Sequence, residues 1–154
     1  MSPYLAALGV SHVYASPYLQ AAPGSTHGYD VVNPQQVNAE LGGPVAHQRF
    51  SATLGEHGLG QVLDVVPNHM AIGGHQNPWW FDVLENGQAS RYARYFDVDW
   101  DPPESRLRNT VLLPVLGDHY GRVLEAGELS IERERAAFIV SYAERTFPVA
   151  PRSL

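Results

Sequence analysis

The sequence contains no cysteine, which removes disulfides and thiolate chemistry but does not identify a compartment. It contains no lysine either. All ten basic residues are arginines, set against sixteen acidic residues for a net charge of −6. They form no cluster that could track a phosphate backbone, so nucleic acid is not an expected partner. No apolar run is long enough to span a membrane, and the first residues lack the basic and apolar regions of a secretory signal. The expectation is a cytoplasmic protein with no membrane partner. Internal repeats and low-complexity segments are missing too. What is present is a chain of 154 residues, 44% hydrophobic, which is enough for a packed core and inconsistent with disorder.

Residues 61–66 form a nearly continuous apolar run rich in β-branched residues, as expected of a parallel strand covered on both faces. It leads into Asp64-Val65-Val66-Pro67-Asn68-His69-Met70. That heptad sets a carboxylate, an amide and an imidazole where a buried strand meets solvent, the position at which barrel enzymes keep their chemistry. Taken alone, Asp64 could equally cap backbone amides, and Asn68-His69 could be turn residues. Upstream, residues 10–15 read as another strand, and residues 16–43 as a loop of nearly thirty residues carrying His27-Gly28-Tyr29-Asp30. Loops of that length are usually functional or disordered. A helix follows: Pro44 suits its first turn, Ala46, Phe50 and Leu54 share one face, and Gly58 suits a left-handed stop. Strand, helix and strand make a βαβ unit with an expected right-handed crossover.

After Met70 the pattern changes. Short helices are predicted over residues 78–85 and 90–95, a helical turn over 120–126, and strands over 111–116, 129–133 and 137–142. Pro102-Pro103 interrupts regular structure between them.

The Asp-x-x-x-Asn-His strand exit and the His-Gly-Tyr-Asp loop together resemble the α-amylase superfamily, glycoside hydrolase family 13. Longer runs resemble one branch of it, the maltooligosyltrehalose synthases: residues 23–32 (PGSTHGYDVV), 77–87 (NPWWFDVLENG) and 111–117 (VLLPVLG). The resemblance implies an α/β fold. Residues 1–70 would hold the second and third strands of a (β/α)8 barrel, and residues 71–154 a small α+β insertion domain after the third strand, acting as a lid. A complete barrel needs roughly 250 residues, and residues 4–8 read as a helix end with no strand before it, so the chain reads as an internal piece of a larger enzyme.

The implied activity is an intramolecular transglucosylation, which converts the reducing-end α-1,4 bond of a maltooligosaccharide or glycogen-derived α-1,4-glucan to an α,α-1,1 bond. The implied substrate-binding residues are His69, hydrogen-bonding the glucosyl unit; Tyr29, stacking on its apolar face; and His27 and Asp30, bonding hydroxyls. Asp64 and Asn68 would support the site. In some calcium-dependent amylases the asparagine equivalent to Asn68 binds metal, but one candidate ligand does not make a metal site, so neither metal nor cofactor is expected. For His27 and Asp30 a tight Gly28 turn capped by Asp30 is the competing interpretation, and for His69 a turn histidine.

Trp79, Trp80 and Phe81 invite a carbohydrate platform, but core packing is the stronger expectation, with at most one ring facing a glucan. His12 is expected to be packed. His75, His119, Asp97 and Asp99 are expected to be solvated or structural. A retaining glycosidase needs two carboxyl groups about 5 Å apart, which the resemblance puts on later strands, and no Arg-x-Asp nucleophile motif occurs in the chain. The piece alone is therefore expected to be inactive. Two rivals stay open: another α-amylase-family hydrolase or branching enzyme, and a noncatalytic glucan-binding module.

Overall fold

The computed structural model describes residues 2–134 and 137–153. The chain divides into two compact units, Met1–Ala71 and Ile72–Leu154. The first begins with helix α1 (Ser2–Ala7) and strand β1 (His12–Ala15). β1 pairs in parallel with β4 (Gly60–Leu63), His12 opposite Gly60 and Ala15 opposite Leu63. Helix α2 (Gly43–Glu56) lies between them in sequence. It runs as its residue pattern predicts: Pro44 occupies the first turn, where its missing N–H is no loss, Leu54 is buried, and Gly58 takes φ +65 just beyond the end.

Both strands are shorter than predicted. β4 stops at Leu63 rather than at 66, and β1 starts at His12 rather than at 10. Nor is β4 covered on both faces: Val62 and Leu63 are exposed at 47% and 41%, because the sheet among the described residues consists of these two strands. His12, expected to be packed, is exposed and bonds Ser11. Its ring lies over Gly60, where a Cβ would come within 2.3 Å of it.

The long segment before α2 is not a bare loop. Strands β2 (Leu19–Ala21) and β3 (Val31–Val37) pair antiparallel across it. The register jumps from Leu19 opposite Val37 to Gln20 opposite Asn33, so residues 34–36 bulge. Pro34, which has no N–H for the ladder, sits in that bulge, and Asn33 turns the chain there by accepting the Gln35 N–H at 2.9 Å. Buried Asn38 then caps the turn Ala39–Leu41, its side chain accepting from the Glu40 N–H.

In the second unit, helix α3 (Pro78–Asn86) starts at Asn77, whose buried side chain accepts from the N–H groups of Trp79 and Trp80. Val83, fully buried, faces the core of this unit. Trp80 is only 4% exposed and packs on Phe96 with ring centroids 5.0 Å apart, while Trp79 stacks on Tyr92 at 4.9 Å. The tryptophans therefore pack, as expected. Helix α4 (Tyr120–Glu125) leads into a three-stranded antiparallel sheet of β5 (Leu129–Glu134), β6 (Ala137–Tyr142) and β7 (Arg145–Pro148).

Two expectations fail here, and one strand comes in addition. Residues 90–95 contain only a single 3-10 turn, Ala93–Tyr95. Residues 111–116 are irregular, because Pro114 removes a donor and the Val115 N–H closes a tight turn onto the Leu113 carbonyl at 2.9 Å. Strand β7 was not foreseen. It is short and at the sheet edge, which tolerates its terminal Pro148.

Candidate functional site

The C-terminal ends of β1 and β4 bring Tyr14, Tyr29 and Asp64 together. The Asp64 N–H continues the strand pairing onto the Ala15 carbonyl at 3.0 Å, which fixes the backbone from which the carboxylate projects. Two phenols converge on one of its oxygens: Tyr29 donates to Oδ2 at 2.6 Å and Tyr14 donates to the same atom at 2.7 Å. Both lengths are those of charge-assisted O–H···O⁻ bonds. Among the described residues nothing bonds Oδ1, which leaves one anionic acceptor open. Tyr29 and Asp64 border a small pocket lined also by Pro17, Gly28, Leu63, Val65 and Val66.

The Tyr29 and then the Tyr14 hydroxyl bond hold the Asp64 carboxyl below its ordinary range. The same bond to Asp64, assisted by desolvation and by the negative charge, raises the pKa of both phenols. The group therefore has a charged acceptor and two neutral donors across the neutral range. Because the folded Asp64 value is lowered, its stabilising contribution is complete above the unfolded carboxylate value and is lost as pH falls through the folded one. The raised phenols contribute fully below the unfolded tyrosine value and lose that contribution as pH rises through their folded values. Followed by phenolate absorbance, two of the eight tyrosines should ionise later than the rest, and Asp64→Asn should bring them back into the common transition. A wild-type curve with no late component would contradict the arrangement.

The loop that delivers Tyr29 is locked from within. Gly28 takes φ +78, and a Cβ on it would lie 2.7 Å from the Pro17 carbonyl oxygen, so the chain can approach Pro17 only with glycine at this position. The Gly28 N–H donates to the Ser25 hydroxyl at 3.1 Å, and that hydroxyl donates to Asp30. His27 Nδ1 accepts the Tyr29 N–H at 3.0 Å and lies 3.7 Å from the Asp30 carboxylate. The imidazole also stacks on the Tyr29 ring, centroids 5.7 Å apart.

The structure thus gathers Tyr29 with Asp64 and sets His27 against Tyr29, while Asp30 faces into its own loop. Asn68 lies in an exposed turn with Pro67, and His69 is exposed, with no side-chain hydrogen bond among the described residues. The Ala71 N–H donates to the Val31 carbonyl at 2.8 Å. Ala71 is two residues beyond His69 and Val31 two beyond Tyr29, so this bond ties the backbone that follows one to the backbone that follows the other.

Tyr14 escaped the sequence reading. Its signal was its place one residue before the end of β1, but that gains meaning only once the parallel register sets it opposite Val62, two residues before Asp64. Among the described residues no group of three His, Asp or Glu side chains could hold a metal ion, and no helix is long and apolar enough to cross a membrane.

The family profile for the α-amylase catalytic domain matches residues 2–122, which takes in this whole arrangement. The chain belongs to the α-amylase catalytic-domain family. Within it, the chain is 41% identical over 151 residues to a Mycobacterium tuberculosis (strain H37Rv) protein assigned as a maltooligosyl trehalose synthase, a match covering 97% of this chain and 18% of that protein. The solved maltooligosyltrehalose synthase of Arthrobacter ramosus is 40% identical, with a TM-score of 0.81, over 97% of this chain and 18% of its own. An intracellular maltogenic amylase of Bacillus subtilis (strain 168) is 31% identical over 119 residues, 77% of this chain and 17% of that enzyme. The chain therefore spans just under a fifth of the α-amylase-family relatives it matches, and it is a mixed α/β piece homologous to part of their catalytic domain.

Proposed function

We propose that this chain supplies the glucosyl-binding wall of an enzyme that rearranges the reducing-end α-1,4 bond of a maltooligosaccharide into an α,α-1,1 bond. The observation that carries the reading is the ionised Asp64 carboxylate, pinned by Tyr14 and Tyr29 at the ends of two parallel strands. Its free oxygen suits a sugar hydroxyl, and the Tyr29 ring suits the apolar face of the same sugar. In this reading β1 and β4 are the second and third strands of a (β/α)8 barrel, whose chemistry lies at the C-terminal strand ends. Residues 71–154 are the inserted segment that follows the third strand. His69 donates to the glucosyl unit. His27 braces the Tyr29 ring and Asp30 holds the loop, so any bond from either to a hydroxyl is secondary to that role. Asn68 shapes the turn that carries His69.

The mutase reading is favoured over a hydrolase or branching enzyme by extent: similarity to the synthases runs over 151 residues, but similarity to the maltogenic amylase over only 119. The proposed chemistry is a double displacement through a covalent glycosyl-enzyme. The released glucose turns in the site and attacks through its anomeric hydroxyl, which requires water to be kept out. The two carboxyl groups of such a reaction are not both available here, because Asp64 alone among the pocket-lining residues carries one. The reaction hides a reducing end without releasing glucose. Full-length protein incubated with maltopentaose should therefore lower the reducing-sugar signal while free glucose stays near its starting level. A rising reducing-sugar signal would mark a hydrolase instead.

A further inference from the structure

Wholly within the second unit lies a cavity of about 410 Å³, bordered by the C-terminal end of α3, the chain around residues 109–113 and the exit of β7. Its size is that of a small-ligand site, and the proposed catalytic arrangement uses none of its residues. Trp100, half-buried, contributes an aromatic wall. Glu85, also half-buried, and Arg152, exposed, both border the cavity, and among the described residues neither forms an ion pair or a side-chain hydrogen bond. Asn109 is held at φ +54, its N–H donating to the Trp100 carbonyl at 2.9 Å. Gly87, at φ +58, keeps the floor open beneath the Asn109 amide, which a Cβ on Gly87 would meet at 3.4 Å.

The cavity thus offers one aromatic surface, a charged acceptor, a charged planar donor and an amide that can do both, none of them spent on each other. A simple anion would be repelled by Glu85, and an apolar ligand would leave both charges unsatisfied. A polyhydroxylated ring meets all four demands, because its C–H face stacks on the indole while vicinal hydroxyls donate to the carboxylate and accept from the guanidinium. We propose that this cavity binds a segment of α-1,4-glucan, with Trp100 as the stacking surface and Glu85 and Arg152 as the hydroxyl partners. The choice of an α-1,4-glucan over another sugar rests on the function proposed above.

The test is fluorine NMR of the full-length protein carrying 5-fluorotryptophan, in which the lines of Trp79, Trp80 and Trp100 are assigned by single Trp→Phe variants and followed during titration with maltopentaose. The Trp100 line should move saturably while the line of buried Trp80 stays in place, the latter also reporting that the unit is folded. Arg152→Ala and Glu85→Gln should each weaken the response about tenfold, as expected for loss of one charged hydrogen bond. A static Trp100 line, or a shift untouched by both substitutions, would overturn the inference. A full-length protein that makes no rearranged product while the Trp100 response persists would refute the proposed activity and leave this site standing.

Discussion

In the full-length enzyme, Tyr29→Ala and His69→Ala should each lower kcat/KM by roughly 100-fold or more without unfolding the protein, since a contact that tightens in the transition state of a desolvated site has that weight. For Tyr29 the effect has two sources. The ring that would stack on the sugar is lost, and Asp64 loses the shorter of its two phenol bonds, so the carboxylate is free to rotate away from the substrate. Tyr29→Phe separates them, keeping the ring and removing only the hydroxyl, and should fall between wild type and alanine. Among the described residues His69 has no side-chain hydrogen bond to lose, so its substitution should cost activity with no change in thermal stability. Near-normal kinetics in both alanine variants would return Tyr29 to a purely local role beneath Asp64 and His69 to an ordinary turn.

The 154-residue chain alone should convert no maltopentaose to any product, a complete loss relative to the full-length enzyme. A retaining displacement needs a nucleophilic carboxylate and a second carboxyl that can give up a proton. Among the described residues that line the pocket at the strand ends, Asp64 alone carries a carboxylate, and the two phenol bonds that lower its pKa make it a poor proton donor at neutral pH. Chromatography of the sugars after prolonged incubation checks this, and measurable turnover would place competent acid and nucleophile inside the chain.

How far the sequence reveals these features differs from element to element. Helix α2 was legible because Pro44, the Ala46, Phe50 and Leu54 face and Gly58 all mark the same element. The parallel pair was legible from β-branched residues, although their ends were not, since an apolar run does not say where pairing stops. The hairpin of β2 and β3 was hidden because the bulge around Pro34 destroys the alternation that would announce it. Residues 111–116 misled in the opposite sense, being apolar enough for a strand but lacking the donor at Pro114. At the site, Tyr29 and Asp64 were visible as motif residues. Their direct bond was not, because it joins a loop residue to one 35 positions later, and Tyr14 was missed because its approach to Asp64 depends on a register between strands nearly fifty residues apart in sequence. The inward turn of Asp30 follows from Ser25, a residue no pattern singled out.

The most direct test of the account is a crystal structure of the full-length protein with a bound maltooligosaccharide. A glucosyl ring should lie at the ends of β1 and β4, its apolar face on Tyr29, one hydroxyl within hydrogen-bond distance of Asp64 Oδ1 and another bonded to His69. A glucan bound elsewhere, with Asp64 and its two tyrosines unengaged, would contradict it.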